Sequence, residues 1–240
     1  MSREFNGTSD LITRPGAIVT ATPFTFSCWV YMDSLLGGVA LFVGESSTIN
    51  NRHFLQVANT GLALVASKTT ATVQSTGGPT LQIKKWHHIA GVWTSATNRN
   101  HAVDGVFGTA NTTSNVPTGI NSTAIGAINS STQSGWFTGH IDQPAVWNVA
   151  LSASEIKLLA NKTHPTRIQR GNLVLFSELD GRNSFEIDLI TATPLDAKLT
   201  RTGRSFPQPI ERTARIYLFP TAAAKLPYQP QMQLGPVQAQ

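Results

Sequence analysis

Residues 135–160 read Gly-Trp-Phe-Thr-Gly-His-Ile-Asp-Gln-Pro-Ala-Val-Trp-Asn-Val-Ala-Leu-Ser-Ala-Ser-Glu-Ile-Lys-Leu-Leu-Ala, and two periods lie within them. From Phe137 to Trp147 the apolar residues tend to alternate, and Trp, Phe, Ile and Val suit a half-buried strand. From Ser152 the pattern turns helical, with Ile156, Leu158, Leu159 and Ala160 offered as one apolar side. Ser152 and Glu155 stand three apart, the spacing at which serine hydroxyl and glutamate carboxylate cap each other's backbone N–H. A core strand therefore runs into a short helix, predicted over 152–161.

Outward from this stretch, the chain reads as short strands broken by Gly and Asn turns. Phe24, Phe26, Cys28, Val30 and Met32 alternate with Thr25, Ser27, Trp29 and Tyr31. Val39–Val43 is a short apolar strand, and Phe54–Val57 with Leu62–Val65 form a hairpin around Asn59-Thr60-Gly61. Trp86–Trp93 reads as a central strand, followed by a polar turn at Ser95–Asn100 and a return through His101-Ala102-Val103. Asp104-Gly105 is a two-residue turn signal, because both central positions of the favoured hairpin turn need positive φ. Thr69–Thr80 reads as polar loop, and so does the Thr/Asn-rich stretch up to Thr123; Ala124–Ile128 is another short strand, Leu173–Leu179 is again strand-like, and Ile187–Ile190 and Ala197–Leu199 are further short apolar pieces. Many short strands and one short helix define an all-β class, a sandwich or barrel.

The totals set limits. A chain of 240 residues can bury a core without staples, and its one cysteine, Cys28, excludes an intrachain disulfide. Charged residues are only 13%, which predicts a neutral, hydrogen-bonding surface rich in Ser, Thr and Asn. No run approaches a membrane span, and Met1-Ser-Arg-Glu-Phe-Asn-Gly is no export leader, so the expectation is synthesis in the cytosol and no membrane partner. The formal charge of +5 is uneven: residues 201–240 hold Arg201, Arg204, Arg212, Arg215 and Lys225 against Glu211 alone. Pro207, Pro209, Pro220, Pro227 and Pro230 bar helix and central strand there, and residues 226–240 are uncharged and rich in Pro and Gln. The reading is two parts: a β domain over 1–200 and an extended basic arm over 201–240.

Four segments, in order, resemble the laminin-G-like, concanavalin-A-like jelly roll. They are Phe5-Asn-Gly-Thr-Ser-Asp10; Phe24-Thr-Phe-Ser-Cys-Trp-Val30; Lys85-Trp-His-His-Ile-Ala-Gly-Val92 with Val103-Asp-Gly105; and Phe137-Thr-Gly-His-Ile-Asp142 leading to Leu151-Ser-Ala-Ser-Glu-Ile156. Leu175-Phe-Ser-Glu-Leu-Asp-Gly181 resembles a further family segment, which extends the domain to about residue 200. The resemblance implies two antiparallel sheets face to face, with ligand loops along one edge or on the concave face. A leaderless chain with a C-terminal arm also looks like members of this fold among tailed-phage structural proteins.

Candidate chemistry follows. Glu186-Ile-Asp-Leu-Ile190 resembles the E-x-D-x-x-E strand of retaining glycosidases of this fold, but Thr191 stands where the second glutamate belongs. Retaining hydrolysis needs two carboxylates about 5 Å apart, so the segment is read as a surface turn with two solvated carboxylates and the chain as no enzyme. His87 and His88 point to opposite faces of a strand and share no ion, so no metal site is assigned. Asp10, Asp104 and Asp142 are the candidates for calcium, the one cofactor the fold leaves open. Trp136, after the polar loop from Asn129, offers a stacking face for a sugar; Asn98, Arg99 and Asn129 offer directed hydrogen bonds. The arm's Arg201, Arg204, Arg212 and Arg215, with Ile216, Tyr217 and Phe219, suit docking on acidic surfaces of neighbouring protein subunits better than nucleic acid, which calls for denser basic residues. Two functions remain from the sequence: a virion structural protein of a tailed phage, such as a capsid decoration or head/tail accessory protein held by its arm to other virion proteins or to itself, and a carbohydrate-binding, lectin-like module.

Overall fold

In chain order the strands are β1 (Arg3–Asn6), β2 (Leu11–Pro15), β3 (Phe24–Tyr31), β4 (Gly38–Gly44), β5 (Arg52–Val57), β6 (Ala63–Lys68), β7 (Thr72–Gln74), β8 (Trp86–Ser95), β9 (Asn98–Val103), β10 (Val106–Phe107), β11 (Ser122–Ile125) and β12 (Thr138–Trp147). The helix α1 (Ala153–Ala160) follows, then β13 (Leu173–Phe176), β14 (Phe185–Asp188) and β15 (Thr193–Lys198). The structure is a computed structural model and describes residues 2–179 and 185–198. These belong to one unit of the chain, Met1–Ile210; a second unit, Glu211–Gln240, lies outside them.

The strands form two antiparallel sheets. One runs β1-β12-β3-β8-β9-β10, with β13 also beside β12; the other runs β14-β15-β2-β11-β4-β5-β6-β7. Period-two alternation decides which side chains meet between them. Phe24, Phe26, Cys28, Val30 and Met32 all enter the shared core, opposite Leu41, Val43, Leu55, Val65 and Ile125 of the other sheet. Trp93 stacks on Phe24 with ring centroids 4.5 Å apart. Its indole N–H, buried and in need of a partner, donates to Ser67 Oγ at 3.0 Å.

The outer face of the first sheet is covered by α1 through Ile156 and Leu159, which pack with Trp147, Val92 and Leu173. The helix starts where the sequence places it. Ser152 Oγ accepts from Glu155 N, and Glu155 Oε2 accepts from Ser152 N at 2.8 Å. The apolar side is narrower than read: Leu158 is 46% exposed, because at 100° per residue it points away from its neighbours at 156 and 159.

Several element boundaries differ from the sequence reading; the strand-like stretch read at 173–179 ends at Phe176, and the apolar pieces at 187–190 and 197–199 overlap strands that begin earlier, at Phe185 and Thr193. The strand expected at Ala124–Ile128 ends at Ile125. Gly126 takes φ +88°, and a Cβ there would overlap the Phe5 ring, so the chain leaves the sheet at that residue. Ala127 and Ile128 then lie on the outer face of the second sheet, in a hairpin closed by an Ile128–Ser134 bridge. Within the expected polar loop 69–80 lies β7, an exposed edge strand whose lack of apolar alternation hides it. β9 begins at Asn98, so the turn before it is only Ala96-Thr97. The Asp104-Gly105 turn forms as expected, with φ +49° and +82°.

Strand registers define the two ends of the sandwich. Phe24 pairs with Trp93 and Thr25 with Trp147 at one end; Tyr31 pairs with Trp86 and His140 at the other. In the second sheet, Pro15, Ser122, Gly44, Arg52 and Lys68 share the first end. Loops 16–23, 45–51, 69–71, 96–97 and 111–121 therefore gather at the Phe24 end. No helix among the described residues is long and apolar enough to cross a membrane.

Candidate functional site

The loop cluster at the Phe24 end is held by one buried cation. Arg99, at 0% exposure, donates to Asn111 Oδ1 at 2.7 Å, Thr113 O at 3.0 Å and Ala96 O at 2.5 Å. Its backbone pairs with Asn111 in both directions. Burial lowers its pKa, so the contacts to three oxygens are what keep the guanidinium in place. The segment it fixes carries Asn115, whose N–H donates to Ala96 O at 3.0 Å. Asn115 Nδ2 donates to Thr69 Oγ1 and Ala71 O, both at 3.2 Å, which ties this loop across to the second sheet. Beside it, Glu45 Oε2 accepts from Asn51 Nδ2 and Oε1 from Ser47 Oγ, both at 2.9 Å, and Asn121 Oδ1 accepts from Ser46 N. The bonds from Asn51 and Ser47 hold the Glu45 carboxyl below the usual carboxylate range.

These loops form a half-open cavity of about 60 Å³, lined by Ala21, Thr22, His53, Ala96, Asn115, Val116 and Pro117. His53 stands on β5, its ring edge-on to Phe24 and Trp93. His53 Nδ1 lies 2.8 Å from Ser67 Oγ. Burial, with the Arg99 charge adding to it, pushes the His53 pKa down to about 3, so the ring is neutral. The cavity is thus walled by apolar surface and uncharged polar groups.

The structure disperses the sugar-binding residues read from the sequence. Arg99 is a correction: it is buried and spent on the loops, with no face for a ligand. Asn98 is exposed at the β8–β9 turn, where its carbonyl accepts from Thr94 Oγ1. Asn129 Nδ2 donates to Ser122 Oγ at 2.9 Å and its Oδ1 accepts from Gln133 Nε2, so its amide shapes its own hairpin. Trp136 is half-buried against Val39, Phe42 and their neighbours on the outer face of the second sheet. It precedes β12 at the end opposite the loop cluster, seven strand positions or roughly 23 Å away. Trp136 and Asn98 do not share a site. His53 and Asn115 were missed: a histidine inside a strand and one Asn among many carry no signal in sequence.

The carboxylates resolve one by one. Glu186 and Asp188 are the second correction: they are not a solvated turn but lie in β14, nearly or fully buried. Glu186 pairs with Arg3 Nη1 at 2.9 Å. Asp188 accepts from Phe176 N, Ile190 N and Thr191 Oγ1 and lies 3.4 Å from Arg14 Nε. The three calcium candidates do not converge. Asp10 accepts from Asn6 N, Asp142 from Gln143 N, and Asp104 from His87 Nδ1 at 2.7 Å and His88 N at 2.9 Å. Among the described residues no three His, Cys, Asp or Glu side chains cluster to hold a metal ion. His87 and His88 diverge as expected, His87 toward Asp104 and Gln82, His88 toward Ser27 Oγ at 2.8 Å. Arg201, Arg204, Arg212, Arg215, Ile216, Tyr217 and Phe219 lie outside the described residues.

A jelly-roll sandwich with a loop-lined end defines a class, and the sequence places the chain within it. The chain belongs to the Laminin_G_3 family of the Concanavalin A-like lectin/glucanases superfamily, matched over residues 6–157. Solved structures with the same fold include a candidate carbohydrate binding protein from Bacteroides ovatus, at TM-score 0.61 and 16% identity, covering 82% of this chain and 57% of that one. Domain 4 of AbnA, a GH43 extracellular arabinanase from Geobacillus stearothermophilus in complex with arabinotriose, gives TM-score 0.54 and 22% identity over 66% of this chain and 76% of that one. The IT-sialidase CBM40 of Ruminococcus gnavus, bound to α2,3-sialyllactose, gives 0.50 and 13% over 62% and 97%. A comparison with curated proteins gives no match.

Proposed function

We propose that the chain is a non-enzymatic, lectin-like carbohydrate-binding domain that meets its sugar at the Phe24-end loops. The observation that carries this is the cavity among those loops, which pairs uncharged hydrogen-bonding groups with apolar wall, the combination a sugar requires. The sugar-bound arabinanase domain and CBM40 lend it support as proteins of like fold. Against hydrolysis stands the use of Glu186 and Asp188 in buried structural contacts, with Thr191 at the third position. The virion reading draws its support from residues 201–240, outside the described part, so glycan binding takes precedence.

A glycan array probed with the full chain is the test. Binding is expected, and equal in calcium and in chelator, because Asp10, Asp104 and Asp142 are each engaged separately by the chain. An array silent in both conditions overturns the reading.

A further inference from the structure

We infer that the cavity at the Phe24 end takes the acetamido group of an N-acetylated amino sugar; this rests on the carbohydrate-binding reading and names its ligand class. Asn115 is 8% exposed. Its Nδ2 faces the Ala71 carbonyl, which can only accept, and that fixes the amide orientation. Oδ1 is then left buried with no hydrogen-bond partner. An unpaired buried carbonyl carries a desolvation cost that a bound N–H donor recovers.

His53 supplies the complement. Ser67 Oγ accepts the Trp93 indole N–H and keeps its own O–H to offer to His53 Nδ1, 2.8 Å away. In the tautomer that takes this bond the ring proton sits on Nε2, and the neutral ring, which lines the same cavity as Asn115, is the donor we assign to the ligand. The rest of the lining is Ala21, Thr22, Ala96, Val116 and Pro117. The cavity's 60 Å³ is several times the roughly 10–15 Å³ that one water needs, so a substituent of a few heavy atoms fits.

One donor, one acceptor and apolar wall match a secondary amide bearing a methyl group. The acetamido N–H goes to Asn115 Oδ1, its carbonyl accepts from His53 Nε2–H, and its methyl meets the alanine and proline surface. A carboxylate or phosphate fits poorly, because His53 is neutral and Arg99 is not among the residues that line the cavity. A plain hydroxyl leaves most of the apolar wall uncovered.

The test titrates the full chain with methyl glycosides of N-acetylglucosamine and N-acetylgalactosamine and with their 2-hydroxy counterparts. Kd is measured by calorimetry and contact by saturation-transfer NMR. At least one acetamido sugar is expected to bind about tenfold tighter than its counterpart, with saturation strongest on the acetyl methyl. That preference is expected to fall below about threefold in Ala96→Leu, which fills the cavity, and in His53→Phe, which removes the donor. Equal affinity for both sugars overturns the inference, and so does a preference that survives both substitutions. If a variant does not fold, the wild-type comparison decides. A chain that binds array glycans lacking acetamido groups equally well refutes only this inference; a silent array refutes the carbohydrate reading with it.

Discussion

Acidification is expected to unfold the sandwich steeply below about pH 6. Burial pushes the pKa of His53 to about 3 and of His88 to about 4, both below the ordinary 6.5. His101 is displaced in the same direction, again by burial. A depressed histidine contributes its stabilisation while it is neutral in both states, above the unfolded pKa. As pH falls below 6.5 the unfolded chain takes up protons that the folded chain refuses. Each such proton costs about 1.4 kcal/mol per pH unit. With His53 and His88 both refusing, unfolding free energy should fall by roughly 3 kcal/mol per unit between about pH 6 and pH 4.5, a large share of the 5–15 kcal/mol typical of a domain. Urea titrations at intervals across that range check this. His88→Gln should reduce the slope by about 1.4 kcal/mol per pH unit. A stability that stays flat from pH 7 to 4.5 would mean these rings are not buried as described.

Arg99→Met is the second large effect. The change removes the donors to Asn111 Oδ1, Thr113 O and Ala96 O and keeps much of the side chain's volume. Breaking a buried charged network of this kind costs about 3–5 kcal/mol. For a domain of this size that is a fall in Tm of roughly 10 °C. Glycan binding should be lost as well, even at temperatures where the variant remains folded, because Arg99 positions the loop that carries Asn115. Asn98→Ala, one residue earlier but exposed, should change stability by less than about 0.5 kcal/mol. Equal effects from the two substitutions would contradict the role given to Arg99.

The contrast between Arg99 and its neighbour shows where sequence reasoning stops. Alternation in Phe24–Met32, the Asp104-Gly105 turn and the Ser152–Glu155 box are local patterns, and each appears in the fold as read. The site depends on what distant loops bring together. Arg99 looked like a surface cation because arginine usually is one, and only the approach of 111–113 to the β8–β9 turn makes it an internal strut. Trp136 looked exposed because it follows a polar loop, yet that loop folds back as a hairpin across an apolar sheet face. Glu186 and Asp188 looked solvated because their partners, Arg3 and Arg14, lie more than 170 residues away in sequence. Asn115, on a loop, and His53, on β5, line one cavity from distant parts of the chain, a juxtaposition that no local period records.

The most direct test of the account is a backbone amide map of the full chain titrated with its best array glycan. If the sugar binds where the account places it, the shifts should concentrate at residues 21–22, 53, 96–97 and 115–118, with the hairpin around Trp136 silent. Shifts centred on Trp136 and the outer face of the second sheet, with the Phe24-end loops unmoved, would contradict it.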